Sequence, residues 1–460
     1  MEFSLTSDTI AAICSAPGEG AIAVVRLSGP KAKQIASKLL GPQILEMGPQ
    51  TARVGWLRDL RGQPIDQVVC LFFQGPRSFT GEDVIELQTH GGYLVPKQVL
   101  RALLEAGARA ATPGEFSSRA LLNGKMDLAQ AEAIQSLIGA RNELAVKAAQ
   151  QALSGRLSSY LQERMSRLFD LAGILEAWVD FPEEDLEFAS FDEVAASLEA
   201  VCQDLEYLKS TYRHGQRLVE GLTICLAGVP NAGKSSLLNT LLGRDRAIVT
   251  DIAGTTRDLL ESEWRVGGIH VRLIDTAGIR STEETIEAEG IRRSRQAVEE
   301  ADIVLAVFDA SRADEKAQQE LLTELPAEKA IFVLNKCDLV TPRDQDTMIS
   351  QLPEGSHWVA VSATTGQGMA SLLQQLEQRV WHGAAPVVEE LILTQERHVE
   401  AIGNAICAFR SVVQGLRQGL SAEYVALEMR SGLQSLRSIT GENLSESILS
   451  AIFSRFCLGK

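Results

Sequence analysis

No apolar run in the 460-residue chain approaches the ~18 residues that a membrane-spanning helix requires. Met1 to Ile10 also lacks a basic segment followed by an apolar one. The expectation is a protein neither secreted nor integral to a membrane. Cysteine is sparse: the 7 stand at positions 14, 70, 202, 225, 337, 407 and 457, with no C-x-x-C pair. That pattern argues against a disulfide framework and against structural zinc, and a reducing cytoplasm is the expected setting. The 6 histidines show no metal-ligand spacing. Net positive charge is missing too, since 44 Lys and Arg face 60 Asp and Glu for a formal charge of −16. The balance favours solubility and gives no global pull on nucleic acid, so an RNA partner would have to meet a local basic patch. Internal repeats and low-complexity linkers are absent.

A chain of this length has room for about three domains. From Thr9 to about Ala111, β-rich runs such as Ala21 to Arg26 and Gln67 to Phe73 alternate with turn clusters, and Pro96 to Ala106 has a helical pattern. Proline is then absent from Pro113 to Pro182, while Leu128, Ala131, Ile134, Leu137, Ile138, Leu157, Leu161, Leu168, Leu171 and Leu175 recur at helical spacing. Asp127 with Gln130 suits a capping box, although a solvated Asp reads the same way. A second proline-free helical block runs from Val387 to Lys460.

Between the helical blocks, four strand-like runs end in polar or glycine-rich turns: Thr223 to Gly228, Val271 to Asp275, Ile303 to Asp309 and Ile331 to Asn335. This is the rhythm of a mostly parallel sheet with helices on both faces, whose ligands bind beyond the strand carboxyl ends. The expected fold class is therefore multidomain α/β. It comprises an N-terminal α+β domain (1–120), a helical domain in two parts (121–215 and 383–460) and an inserted P-loop domain (216–382). Three domains in tandem is the alternative.

Gly228-Val-Pro-Asn-Ala-Gly-Lys-Ser235 fits the phosphate-loop pattern G-x-x-x-x-G-K-[ST] between a strand and the helical Ser236 to Leu242. The N–H groups of Asn231, Ala232, Gly233, Lys234, Ser235 and Ser236 would wrap phosphates, Lys234 adds charge and Ser235 can ligate Mg²⁺. Asp275, Thr276, Ala277 and Gly278 end the next strand, with Asp275 on the Mg²⁺ shell and the Gly278 N–H near a γ-phosphate. Asn335-Lys-Cys-Asp338 ends a third strand. There Asp338 can accept from guanine N1 and N2, Lys336 packs on the ring, and Ser362-Ala363 offers a backbone N–H to O6. Adenine would present lone pairs to Asp338, so the set predicts GTP rather than ATP. Ile279 stands where small signalling GTPases carry a water-orienting Gln, so another group must orient the water.

Further motifs are Phe79-Thr-Gly-Glu-Asp83, His90-Gly-Gly92, Gly114-Glu-Phe116, Arg119-Ala-Leu-Leu-Asn123 with Lys125, Asp251-Ile-Ala-Gly-Thr-Thr-Arg-Asp258 and Phe456-Cys-Leu-Gly-Lys460. With these the whole chain resembles the tRNA modification GTPases of the MnmE (TrmE) family. The resemblance implies a homodimer that works with a flavoprotein of the MnmG/GidA type on tRNA. The reaction builds an aminomethyl-type (carboxymethylaminomethyl) group on C5 of the wobble uridine. The one-carbon donor is a tetrahydrofolate, 5,10-methylene-tetrahydrofolate or a 5-formyl-tetrahydrofolate analogue. It further implies that Thr250, Asp251, Ile252, Ala253, Gly254, Thr255 and Thr256 line the nucleotide site, with Thr256 a second Mg²⁺ ligand. K⁺ would be held by Asn231, Thr250, Ile252 and Thr255 in place of an arginine finger, and Glu287 would position water. The alternative for Asn231 is an ordinary loop residue, and Glu287 belongs to an acidic run that could simply be solvated.

Arg26, Glu86, Lys125 and Lys460 match the family's folate positions; without the resemblance they read as surface ion pairs. Cys457, beside Arg455 and Lys460, is the candidate reactive thiol, with a half-buried helix cysteine as the alternative. His90 beside two glycines reads as a turn or packing residue. A regulatory or ribosome-assembly GTPase switch without modification chemistry remains the competing reading.

Overall fold

The computed structural model describes residues 8–180, 190–244, 263–275, 296–312, 316–353, 355–381, 390–442 and 444–460. The chain forms two compact units, one of residues 1–139, 149–209 and 396–460, the other of 140–148 and 210–395. A segment lying wholly inside the helical stretch of sequence, Ala140–Ala148, thus belongs with the second unit.

In the first unit, strands β1 (Ile10–Ile13), β2 (Ile22–Ser28), β3 (Thr51–Arg58), β4 (Pro64–Phe73), β5 (Val84–His90) and β6 (Arg109–Ala110) form one sheet in the order β3-β4-β5-β2-β1-β6. All pairs are antiparallel except β1 with β6. Alternation along β4 sends Val68, Cys70 and Phe72 inward, where they join Val25, Leu27 and Leu87. Helices Ala32–Leu40 and Val95–Glu105 cover that face with Ile35, Ala36, Leu39, Val99, Ala102 and Leu103. This is the expected α+β domain.

Long helices follow: Leu128–Gly139, Arg156–Asp180, Phe191–Ser210, Glu396–Gln418 and Ala422–Thr440. The Asp127 capping box is formed, with Gln130 N–H donating to Asp127 Oδ1 (2.8 Å) and Asp127 N–H to Gln130 Oε1 (3.0 Å). Leu128, Ala131 and Ile134 are buried, but Ile138 is exposed, so the apolar stripe stops short of the helix end. The second helical block starts at Glu396 within the described residues. A buried ion cluster ties its first turn to the earlier helices. Arg397 Nε and Nη2 donate to the two oxygens of Glu132 (2.9 and 2.8 Å), and His398 Nε2 lies 2.8 Å from Glu132 Oε2. Arg397 also donates to Ser438 O and Ile439 O, satisfying carbonyls at the end of helix Ala422–Thr440.

The second unit holds β7 (Leu222–Gly228), β8 (Glu263–Val266), β9 (Ile269–Asp275), β10 (Ile303–Asp309), β11 (Ala330–Asn335) and β12 (His357–Ala360), in the order β12-β11-β10-β7-β9-β8. Only the β8–β9 pair is antiparallel. β10 and β11 are buried along their whole length because both faces are covered, which explains their unbroken apolar runs. One face buries Leu226, Leu305 and Val333 with Met369 and Leu372 of helix Met369–Trp381; the other buries Cys225, Ala306, Phe308 and Phe332. This is the expected mostly parallel P-loop sheet. Among the described residues, no helix is long and apolar enough to cross a membrane, and no group of three or more His, Cys, Asp or Glu could hold a metal ion.

Candidate nucleotide site and the C-terminal seat

β7 ends at Gly228, and helix Lys234–Arg244 starts at the lysine of the phosphate-loop pattern. The intervening loop needs left-handed backbone at Asn231 (φ 64°) and Gly233 (φ 91°). A side chain at Gly233 would also run into the Asn335 amide, so the second glycine of the pattern is fixed by both conformation and space. Lys234 is buried, its Nζ donating to Gly228 O (2.6 Å) and Val229 O (2.9 Å) of its own loop. Ser235 and Ser236 are exposed in the first turn of the helix, where N–H groups face outward.

The segment expected to read the base, Asn335 to Asp338, meets this loop directly. Asn335, 2% exposed, donates from Nδ2 to Ala232 O (2.8 Å) and accepts at Oδ1 from the Ala363 N–H (3.1 Å). One side chain therefore joins the phosphate loop to the Ser362-Ala363 turn. That turn is fastened again by Thr240, whose hydroxyl donates to Ala363 O (2.9 Å). Ser362 is buried and its Oγ accepts from the Thr365 N–H (3.1 Å). Lys336, itself at φ 63°, donates from Nζ to Asn231 O (2.9 Å) and to Asp309 Oδ2 (2.6 Å). Asp338 is exposed beside it, free of any fold-related burial. Asp275 is the last residue of β9, paired with Leu226 of β7. Thr250, Asp251, Ile252, Ala253, Gly254, Thr255, Thr256, Thr276, Ala277, Gly278 and Glu287 lie outside the described residues.

In the first unit, Arg26 and Glu86 sit opposite one another on β2 and β5, with Arg26 Nη2 2.8 Å from Glu86 Oε1. They are not a surface pair: their side chains are 12% and 19% exposed. The guanidinium lies 5.1 Å from the Phe79 ring centre and 5.6 Å from that of Phe116, and among the described residues its buried Nη1 has no hydrogen-bond partner. Cys14 stands beside them. Burial raises its thiol above the ordinary range, with Arg26 and Lys460 pulling it down and Glu86 pushing it up. Arg26, Glu86 and Lys460 thus all act electrostatically on one thiol, whereas Lys125 is exposed and donates to Pro76 O (2.9 Å).

Lys460 reaches this place because the chain end is seated on β1. Cys14 Sγ donates to Gly459 O (3.1 Å), and the Gly114 N–H to Cys457 O (3.4 Å). Gly459 has φ 94°, and a Cβ there would stand 2.5 Å from Ile13 O. Cys457 lies beyond the last helix, Glu446–Phe453, and is exposed, with Sγ 3.8 Å from Gln135 Oε1; the half-buried helix cysteine is not what forms.

Hydrogen bonds tie the other motifs of the first domain together. Arg119 donates to Glu82, to Asp8 Oδ1 (2.6 Å) and to Glu115 Oε1 (3.0 Å), while Ser28 Oγ donates to Glu82 Oε2 (2.6 Å). Asn123 Nδ2 donates to Thr80 O (2.7 Å). Phe79 to Asp83, Gly114 to Phe116 and Arg119 to Asn123 are therefore parts of one network. His90 is exposed and binds Asp66 through Nδ1 (2.7 Å) and its N–H (2.8 Å), a turn-fixing role.

The comparisons with known proteins bear on both units. The MnmE helical domain profile matches residues 128–457, and that of the GTP-binding protein TrmE N-terminus matches 9–125. The tRNA modification GTPase MnmE of Protochlamydia amoebophila is 47% identical over 453 residues, 98% of each chain. The chain belongs to the MnmE family. The tRNA modification GTPase MnmE of Chlamydia abortus is 43% identical over 456 residues, 99% of this chain and all of that one. A probable GTP-binding protein engB of solved structure is 21% identical at TM-score 0.27, covering 35% of this chain and 99% of that one.

Two residues of this MnmE-family chain escaped the sequence reading. Cys14 follows β1 with no motif around it; only the tail's seat gives it a place. Asp309 is a strand-end carboxylate, 2% exposed, that holds Lys336. Its one signal is its position at the end of β10, beside the strand that carries the Asn335 motif.

Proposed function

We propose that this chain binds GTP at the ends of β7, β9 and β11 and couples its hydrolysis to modification of wobble uridine C5 in tRNA. As a member of the MnmE family it is a GTP-hydrolysing enzyme with a role in tRNA modification. The observation that carries the reading is Asn335, whose single amide links the phosphate loop at Ala232 to the turn at Ala363.

In this reading the N–H groups from Asn231 to Ser236 and the Lys234 ammonium hold the phosphates, and Asp338, Lys336 and the Ala363 N–H hold guanine. Release of Lys234 from Gly228 O and Val229 O toward a phosphate would exchange two neutral acceptors for an anion, a stronger partner. Ser235 fits a Mg²⁺ ligand because its hydroxyl is exposed at the start of the helix; Thr256 would supply a second oxygen and Asp275 the carboxylate nearby. Mg²⁺ supplies neutralisation of phosphate charge when bound. Asn231, exposed at φ 64°, would offer its amide oxygen to K⁺ together with Thr250, Ile252 and Thr255. Glu287 would hold the attacking water as its base.

The first domain would take the tetrahydrofolate donor. Its support is the buried Nη1 of Arg26, an N–H donor that has no partner among the described residues, lies near two phenyl rings and beside Glu86, and suits a flat ligand carrying acceptors and donors on one edge. Lys460 and Lys125 would meet the ligand's carboxylates. Cys457, exposed next to the seat, would act on the uridine or the one-carbon unit. Homodimerisation, a flavoprotein partner of the MnmG/GidA type and a cytoplasmic setting complete the proposal. So do the domain limits 1–120, 121–215 with 383–460, and 216–382.

The test is nucleoside mass spectrometry of tRNA from cells lacking the protein, complemented with the wild type, Asp338→Asn or Cys457→Ser. Loss of the C5 group, fully restored by wild type alone, is expected. An unchanged C5 group in cells lacking the protein would overturn the wobble-uridine assignment.

A further inference from the structure

The Asp309 carboxylate is almost wholly buried at the end of β10, yet it belongs to none of the nucleotide motifs. One of its oxygens accepts from the N–H (3.0 Å) and hydroxyl (2.6 Å) of Ser311, so its position is fixed by its own turn. The other accepts from Lys336 Nζ at 2.6 Å. Burial opposes its ionisation, but the Lys336 ammonium and the Ser311 donors more than offset this and hold the carboxyl below its usual range. The same ammonium donates to Asn231 O of the phosphate loop at 2.9 Å. Asn231 and Lys336 both adopt left-handed backbone, a conformation that non-glycine residues keep only where surrounding contacts impose it.

We infer that Asp309 is a positioning residue for guanine-nucleotide binding. It anchors the Lys336 ammonium so that the aliphatic stem stays straight beneath the base while the ammonium clamps the phosphate loop at Asn231. Without the anchor, a lysine on a four-carbon stem regains its rotamers, and the loop loses a charge-assisted hydrogen bond on its most strained residue. The inference rests on the reading of Asn335 to Asp338 as the guanine-binding segment.

The experiment uses the full chain with GTP turnover and equilibrium binding of fluorescent GDP. Asp309→Asn keeps acceptor capacity for Ser311 and removes the charge facing Lys336. It should weaken GDP binding and raise KM for GTP by about tenfold or more, with kcat changed less than about twofold, as loss of uniform binding requires. Lys336→Met keeps the stem without the ammonium. In that background Asp309→Asn should cost no further affinity, because residues acting through one contact are non-additive. Equal affinity of Asp309→Asn and wild type, a loss confined to kcat, or full additivity with Lys336→Met would each overturn the proposal. The double comparison stands even if the single change lowers stability, since a general loss of fold adds in both backgrounds. A wild-type chain that binds no GDP would instead sink the nucleotide reading itself.

Discussion

Glu132→Gln should destabilise the helical part of the first unit by about 3 kcal/mol at neutral pH, and the defect should fade in acid. The Glu132 side chain is 9% exposed and bonded to both Arg397 and His398. Burial alone would raise its pKa, but the hydrogen bonds from His398 and Arg397 outweigh that and hold the carboxyl at about 2. Against an ordinary glutamate near 4.3, a difference of roughly two units at ~1.4 kcal/mol each gives about 3 kcal/mol. The figure agrees with the lower part of the roughly 3–5 kcal/mol range for breaking a buried ion pair. The lower part is appropriate because Arg397 retains 24% of its side-chain exposure. The sign follows from a depressed folded-state pKa. The stabilisation is complete above the unfolded value and is lost as pH falls from about 5 toward 2. Urea unfolding followed by far-ultraviolet circular dichroism, which the long helices dominate, reads the difference between wild type and variant at pH 7 and below pH 4. Equal midpoints at pH 7, or a gap that persists undiminished in acid, would refute the reasoning.

Asp338→Asn should transfer preference from guanine to xanthine nucleotides, since each charged hydrogen bond lost to guanine costs roughly 1.5–3 kcal/mol; unchanged GTP affinity in a competition assay contradicts it. GTP turnover should run faster in K⁺ than in Na⁺ at equal ionic strength, and identical rates would remove Asn231 from the cation site. Gly459→Ala should unseat the chain end, because its Cβ would lie 2.5 Å from Ile13 O and 3.0 Å from Cys14 Cα at φ 94°. Cys14 should then react faster with a maleimide, and an unaltered labelling rate would show that the tail is not what shields it.

The parts of this molecule that were legible in sequence are those whose chemistry is local. A phosphate loop needs its backbone donors within one turn, so Gly228 to Ser235 announces itself, and β10 and β11 read as buried because both faces are covered. The Asp127 box joins residues three apart in sequence and was readable for the same reason. The Glu132 cluster was not, because its members stand at 132, 397 and 398 and meet only when the two helical stretches of the chain fold together. Arg26 and Glu86 show the intermediate case. Their residue types suggested an exposed ion pair, and only the β2–β5 register makes them a half-closed polar pair beside the chain end.

The same distinction explains why Asn335 matters more than its place in a motif suggests. A strand-end Asn could cap its own turn and nothing else. Here its amide spends both ends on other loops, donating to Ala232 O and accepting from the Ala363 N–H, while the neighbouring Lys336 reaches Asn231 O. The loop from Gly228 to Ser235 and the segment at Asn335, more than a hundred residues apart, are therefore fixed to each other. In the proposed nucleotide-binding role, that fastening would leave little ordering cost between these segments on binding.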